Sequence, residues 1–322
     1  MQALLARYAL LAVAVVVLNF ALPRLLPGDP LAATADAVQG GAVPALTSQQ
    51  LAQLRATYHL DQPLPVQFTS YLAELARGDL GWSISRSAPV SQLIAERLPW
   101  TLSLVLVAVT MAAASGIALG VFAAWRGGSW ERAVVGASSA LAALPEFLVG
   151  MVLLLGLAVG LGWFPLQGGE TLFAPAGQTW PAVLGDRALH LALPGATLLV
   201  ANLAAFVLLS RGAVRGVLAE PYLATARAKG LGERRVALQH ALPNALLPVL
   251  TMLGMRLGQV LGGAIVVERV FAIPGLGLFA FQAIQTRDYP VLQAVFLIAS
   301  LGVLLANFLL DLAYRRLEPR AR

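Results

Sequence analysis

The chain has no cysteine among its 322 residues, which excludes disulfides, thiolate nucleophiles, iron–sulfur clusters and cysteine-ligated zinc together. Histidine is nearly as scarce. His59, His190 and His240 lie far apart in sequence and leave little for a histidine-rich metal site. Charged residues make up 12% of the chain, against about 25% in an ordinary soluble domain. Such a chain cannot cover its own surface against water, which argues against a purely soluble enzyme. The 58% apolar content equally excludes a disordered chain. Lysine occurs once, at Lys229, and Gly230 follows it where a phosphate-binding loop needs Ser or Thr. No Walker-type nucleotide site can be built here.

What the sequence has instead is long uncharged runs. There are 16 such positions between Arg7 and Arg24, 28 between Arg97 and Arg126, and 23 between Glu146 and Glu170. Three more runs hold 23 between Arg187 and Arg211, 20 between Arg235 and Arg256, and 22 between Asp288 and Asp311. A helix crossing the hydrocarbon core needs about 20 apolar residues. The pattern predicts an all-α membrane protein with six transmembrane helices, near 8–26, 99–124, 134–162, 190–210, 243–267 and 290–314. The first run is short and broken by Pro23-Arg24, so a cleaved signal peptide is its alternative reading. Against that stand a single basic residue, Arg7, ahead of the run and no small-x-small site behind it.

The net charge of +6 is topological. With both termini inside, the inner segments 1–8, 125–133, 211–242 and 315–322 hold 13 of the 22 basic residues in 57 positions. The outer segments 23–97, 164–188 and 268–288 hold 8 in 121 positions. The positive-inside rule then predicts cytoplasmic termini, and no nucleic-acid partner is needed. The expected organisation is a first helix plus outer segment over 1–98, a five-helix core over 99–314 and a cytoplasmic tail over 315–322.

Two short helices are predicted in the outer segment. One opens at a Thr47/Gln50 capping box and carries Leu51, Leu54 and Tyr58 on one face. The other follows Pro65, with Phe68, Tyr71, Leu72 and Leu75 on one face, and ends at Gly78. They pack on the bundle or receive a soluble outer partner. On the inner side, Glu220-Pro221 opens a helix with proline in the first turn, where its missing N–H costs nothing. Gly230-Leu231-Gly232 ends it, and a second helix over 233–242 runs into Pro243.

In this inner segment the residues carry a resemblance. Tyr222-Leu-Ala-Thr-Ala-Arg-Ala-Lys-Gly230-Leu, followed by His240-Ala-Leu242-Pro243-Asn244, resembles the cytoplasmic EAA loop of ABC importer permeases, in the form of the oligopeptide/dipeptide/nickel branch. Ala226, Gly230, Leu242 and Pro243 keep the family register, while Ala224, Thr225 and His240 depart from it in the manner of that branch. Further segments resemble the same branch in order: Arg24-Leu-Leu-Pro-Gly-Asp-Pro30, His59-Leu-Asp-Gln-Pro63, Gly78-Asp-Leu-Gly81, Glu96-Arg-Leu-Pro99, Pro274-Gly-Leu-Gly277 and Arg287-Asp-Tyr-Pro290.

The resemblance implies a permease subunit in the inner (plasma) membrane, without a cofactor of its own. It implies a second permease subunit, identical or different, two cytoplasmic ATPase subunits and an extracytoplasmic solute-binding protein. It also makes residues 220–232 a coupling helix in a groove of the ATPase. Glu220, Tyr222, Ala226, Arg227, Lys229, Gly230 and Leu231 are the expected docking residues, with Gly230 allowing a sharp turn and Ala226 and Ala228 a close approach. Peptides are the commonest cargo of the family resembled, and nickel belongs to the same branch.

Two charges fall inside the predicted spans. Glu146 and Arg256 each lie 13 residues from the inner end of their helix, about 20 Å deep at 1.5 Å per residue. A charge near mid-bilayer costs a few kcal/mol or more unless paired or in water. The two are expected to pair or to face the translocation path; the alternative solvates each separately, with Pro145 kinking the third span beside Glu146. Gly254, Gly258 and Gly262 form a small-residue ridge that serves close packing or, at Gly258, the path wall. Asn202 and Asn307 act as interhelical glue, Asn202 also being a path candidate. A secondary transporter would need paired intramembrane carboxylates or repeated broken helices. An intramembrane hydrolase would need a Ser/His or paired Asp constellation, which the spans lack.

Overall fold

The structure is a computed structural model that describes residues 2–25, 62–172, 177, 179–232, 235–258 and 264–317. The helix expected from the Thr47 capping box lies outside these residues, as does Gly262. Helix α1 spans Gln2–Leu25 and α2 spans Leu64–Ala76, the latter with proline in its first turn as the sequence predicts. A hairpin follows, β1 (Trp82–Ser83) pairing antiparallel with β2 (Ala88–Pro89). Helix α3 is Val90–Arg126 and α4 is Gly128–Ala142. Helix α5, Glu146–Leu153, passes directly into a π-helical stretch over Leu154–Gly160. Helix α6 spans Trp180–Leu218 and α7 spans Pro221–Ala228. A second π-helical stretch, Val236–Ala241, leads into α8, Leu242–Gly258. Helices α9 (Ile265–Val270), α10 (Leu276–Gln285) and α11 (Tyr289–Leu317) complete the described chain.

Four of these helices are long and apolar enough to cross a bilayer: α1, α3, α6 and α11. The third expected span is not one rod. α4 and α5 together pass as an apolar span but meet at 97°. Pro145 is the cause, because it lacks an N–H to continue α4 and its ring crowds the preceding turn. The last amides of α4 tighten onto carbonyls three residues back, Ala143 on Ala140 and Leu144 on Leu141. The carbonyl of Pro145 then starts α5 by accepting from Leu148 and Val149. The fifth span is represented by the 17-residue α8, shorter than expected over its described part. α3 and α6 instead exceed their predicted spans, by about a turn or more at both ends of α6.

α3 and α6 run parallel and form the centre of the bundle. Gly116 and Gly120 permit their contact: a Cβ on Gly116 would meet the Val207 amide nitrogen at 3.1 Å, and one on Gly120 would meet the Val207 carbonyl at 2.7 Å. Between helices in lipid, such close approach supplies the packing that hydrophobic transfer cannot. Around this seam lies a single large core that includes Leu104, Ala112, Phe206, Phe271, Leu276 and Val291. Leu10 and Val13 on α1, Val152 on α5, and Leu305 and Leu309 on α11 stay exposed, as lipid-facing side chains require. α1 lies antiparallel on α11, held by the Tyr8 hydroxyl donating to Asp311 at 2.9 Å and by Gln293 donating to the Asn19 carbonyl at 3.2 Å.

Candidate functional site

The loop between α6 and α8 is a small folded unit. α6 ends at Leu218, and the turn through Ala219 and Glu220 delivers the chain to α7, whose Leu223 amide donates to the Glu220 carbonyl. Gly230 adopts φ +80°, the left-handed conformation that glycine takes without strain, and this reverses the chain after Lys229. Leu223, Ala226, Val236 and Ala241 form a separate buried cluster, against which Val217, Leu218 and Leu231 pack. Glu220, Tyr222, Lys229 and Gly230 remain exposed, as does Ala228. Ala226, expected at the docking surface, instead faces inward at 8% exposure, so its small size serves the loop's own core. The Arg227 side chain lies outside what is described.

This unit is tied to the helices at both of its ends. Asn244, in the first turn of α8, donates from Nδ2 to the Tyr222 hydroxyl at 2.8 Å. At the end of α6, Arg211 donates from Nε to Glu131 Oε1 at 2.7 Å. Arg215 donates from Nε to the same oxygen at 3.1 Å and from Nη2 to Oε2. Glu131 is in the first turn of α4, so one carboxylate clamps the α4 start to the α6 end. The charge count treats Arg211 and Arg215 as loop residues. Their i, i+4 spacing is the signal that α6 continues through them.

Glu146 opens α5 just past the bend, so its depth cannot be counted along a straight helix from the inner end. Its Oε1 is buried and has no hydrogen-bond partner. Arg256 lies in the last turn of α8. No hydrogen bond or ion pair joins the two among the described residues. Asn202, half-buried on α6, donates from Nδ2 to the Leu198 carbonyl at 2.8 Å, one turn back on its own helix. Gly258 is buried, and a Cβ there would stand 3.5 Å from the Ala306 Cβ on α11. A Cβ on Gly254 would meet Leu310 at 2.6 Å. Both glycines therefore serve the approach of α11 to α8.

At the opposite end of the bundle, two buried carboxylates organise segments that sequence reasoning marked without assigning a role. Glu268, fully buried, accepts from Thr101 Oγ1 at 2.6 Å and from the Leu278 amide at 2.9 Å. The glycines of Pro274-Gly-Leu-Gly277 make room for it: any side chain on Gly275 would collide with the carboxyl, and a Cβ on Gly277 would lie 2.9 Å from Oε2. Asp288, in Arg287-Asp-Tyr-Pro290, accepts on Oδ2 from Ser83 Oγ at 2.6 Å, Ser85 Oγ at 2.7 Å and the Ser85 amide at 2.9 Å. A carboxylate followed six residues later by a glycine-spaced helix start, Pro274-Gly-Leu-Gly277, was the available signal for Glu268.

A polytopic helical bundle with a compact extramembrane helix–turn–helix between two spans is the class defined by this geometry. Residues 116–322 match the family described as binding-protein-dependent transport system inner membrane component, and the chain belongs to that family of ABC importer permeases. It is 40% identical over 311 residues to the glutathione transport system permease protein GsiC of Pectobacterium atrosepticum, covering 96% of this chain and 94% of that one. It is 38% identical over 309 residues to the oligopeptide transport system permease protein AppB of Bacillus subtilis, covering 95% and 93%. A probable peptide ABC transporter permease of Sinorhizobium fredii is 36% identical over 304 residues, covering 94% and 92%. A crystal structure of an amino acid ABC transporter with histidines shares the fold at TM-score 0.50 and 18% identity, over 70% of this chain and 94% of that one. The protein is thus a multi-pass membrane permease subunit, and its family implies ATPase and binding-protein partners.

Proposed function

We propose that the chain forms half of a translocation path for peptides, driven by ATP hydrolysis on separate cytoplasmic subunits and supplied by an extracytoplasmic binding protein. The observation that carries the mechanical part is the loop's construction. α7 rests on a core of its own and is linked to α8 through Tyr222 and Asn244. A partner gripping Glu220, Tyr222, Lys229, Gly230 and the Arg227 position would move this unit as one body. The Glu131 clamp and the Tyr222 link would pass that displacement into α4, α6 and α8. Ala226 and Leu231 support the gripped surface from within.

In this reading both termini and α7 face the cytoplasm, as the basic-residue distribution supports. Residues 1–98 form an accessory helix and outer segment, 99–314 the permease core and 315–322 a tail. A second permease subunit completes the path, whose wall includes Glu146, Arg256 and the Asn202 face of α6. The peptide assignment rests on the names of the relatives above.

The test is reconstitution in vesicles. The complete complex is expected to import peptide with ATP and binding protein, and deletion of 222–230 is expected to abolish import and transport-coupled hydrolysis while the spans still insert. Uphill import by this chain alone, without a nucleotide-hydrolysing subunit, would overturn the proposal.

A further inference from the structure

The seam between α3 and α6 is closed in one half of the bundle and open in the other. Toward α7, Gly116 stands against Phe206 and Gly120 against Ser210, with no room for a side chain on either glycine. Toward the starts of the two helices the seam holds a cavity of about 820 Å³. The cavity exists because α6 sets Ala188, Ala192, Gly195 and Ala196 on one face, where larger side chains would fill it. A Cβ on Gly195 would meet nothing within 4 Å. Val107 and Met111 of α3, both exposed, form a rim, so the cavity opens toward the side of the bundle.

Charge stands at one end of this groove only. Glu96 and Arg187 line its mouth. Trp100 lies between them, one turn after Glu96 and with the Arg187 guanidinium 5.0 Å from its ring centre. Arg187 donates Nε and Nη2 to Glu170, at 3.0 and 2.9 Å, which leaves Nη1 for another acceptor. Glu96 accepts from Gln92 on Oε1 at 3.1 Å, has Arg97 3.6 Å from Oε2, and is more than half exposed.

The groove has the depth of one leaflet. Eleven residues separate Trp100 from Met111 and twelve separate Arg187 from Leu199, about 17 Å of helix. Half of the hydrocarbon core is about 15 Å. A helix of a partner subunit would call for a groove through both leaflets. A peptide would need partners for its amides. The lining offers one hydroxyl, on Ser103, and it already donates to the Trp100 carbonyl at 3.1 Å. An acyl chain needs neither.

We propose that this groove holds a phosphatidylethanolamine molecule of the leaflet opposite α7. One acyl chain lies on the small residues of α6 and ends near the midplane. The phosphate accepts from Arg187, and the ammonium donates to Glu96. A choline headgroup carries the same charge but has no N–H to donate. The proposal requires only the membrane position that the family establishes and is independent of the cargo.

The test places the assembled complex in nanodiscs with a trace of phosphatidylethanolamine that carries a diazirine at the end of one acyl chain. After photolysis, mass spectrometry maps the labelled residues. Label is expected to concentrate on 103–111 and 191–199. It should be about tenfold stronger in phosphatidylcholine discs than in phosphatidylethanolamine discs, where the bulk lipid competes through the same headgroup contact. Gly195→Leu fills the open space and should reduce the label to the level found on the exposed faces of α1 and α11. Gly136→Leu, also built into open space, should leave it unchanged. Glu96→Gln should level the two kinds of disc, and Arg187→Gln should remove the advantage of this lipid over a diacylglycerol carrying the same diazirine. Label spread evenly over all exposed helices, equal labelling in both discs, or indifference to Gly195→Leu would each overturn the proposal. Displacement by dialanine would give the groove to cargo, and label found on the isolated chain but not in the complex would give it to a partner subunit. Either result overturns the proposal as well.

Discussion

Thr101 and Glu268, separated by 167 residues in the chain, meet at 2.6 Å with the hydroxyl donating to the carboxylate and neither side chain exposed. The same hydroxyl accepts the Leu276 amide at 2.8 Å. One side chain on α3 therefore joins α9 to the start of α10, and the Pro274-Gly-Leu-Gly277 turn exists to let these groups come together.

Replacing Thr101 by Val keeps the shape but orphans the Leu276 amide and one carboxylate position. The expected loss is about 1–3 kcal/mol, the usual cost of unsatisfied buried polar groups. Thermal unfolding of the detergent-purified protein checks it, and Thr101→Ser should retain most of the stability. Equal melting of Thr101→Val and wild type would show that the contact is dispensable.

Gly120→Ala tests the α3–α6 seam. The added methyl would stand 2.7 Å from the Val207 carbonyl and 2.8 Å from the Arg211 amide nitrogen, backbone atoms that cannot turn aside. Destabilisation of about 1–3 kcal/mol is expected from such overpacking. Gly136→Ala meets nothing within 4 Å and serves as the neutral control.

Tyr222→Phe removes the hydroxyl that receives Asn244 while leaving the ring. A neutral hydrogen bond contributes about 0.5–1.5 kcal/mol, so coupled uptake should fall roughly two- to tenfold. The ATPase subunits should still co-purify. Loss of co-purification would mean that the ring surface had been disturbed, and unchanged uptake would mean that force does not pass through this link.

Glu131→Arg places three guanidinium groups together where one carboxylate now serves two. Uptake by the reconstituted complex should be severely reduced. Combining it with Arg211→Glu restores opposite charges across the α4–α6 junction, and partial recovery of uptake is expected in a double-mutant cycle. A double variant as poor as Glu131→Arg alone would remove the clamp from the mechanism.

Much of the architecture could be read along the chain, because crossing a bilayer demands long uncharged runs and these are visible residue by residue. Pro145 likewise announced a disturbance in the third span. Its size was not legible: whether a proline bends a helix slightly or turns it by 97° depends on what α6 and α9 offer each half to pack against. The Gly254/Gly258 ridge could be recognised as small residues but not assigned a partner until α11 lay on it. Ala226 looked like a contact surface by register and proved to be the floor of the loop, since a helix register alone does not say which face a neighbouring segment covers.

The long apolar helices and the glycine- and proline-bounded loop between α6 and α8 were thus written in composition and local spacing, which short-range rules decode. The Thr101–Glu268 and Ser83–Asp288 contacts and the Glu131 clamp join residues from about 80 to more than 200 positions apart. Helix packing brings them within reach, and no periodicity along one segment encodes a partner on another.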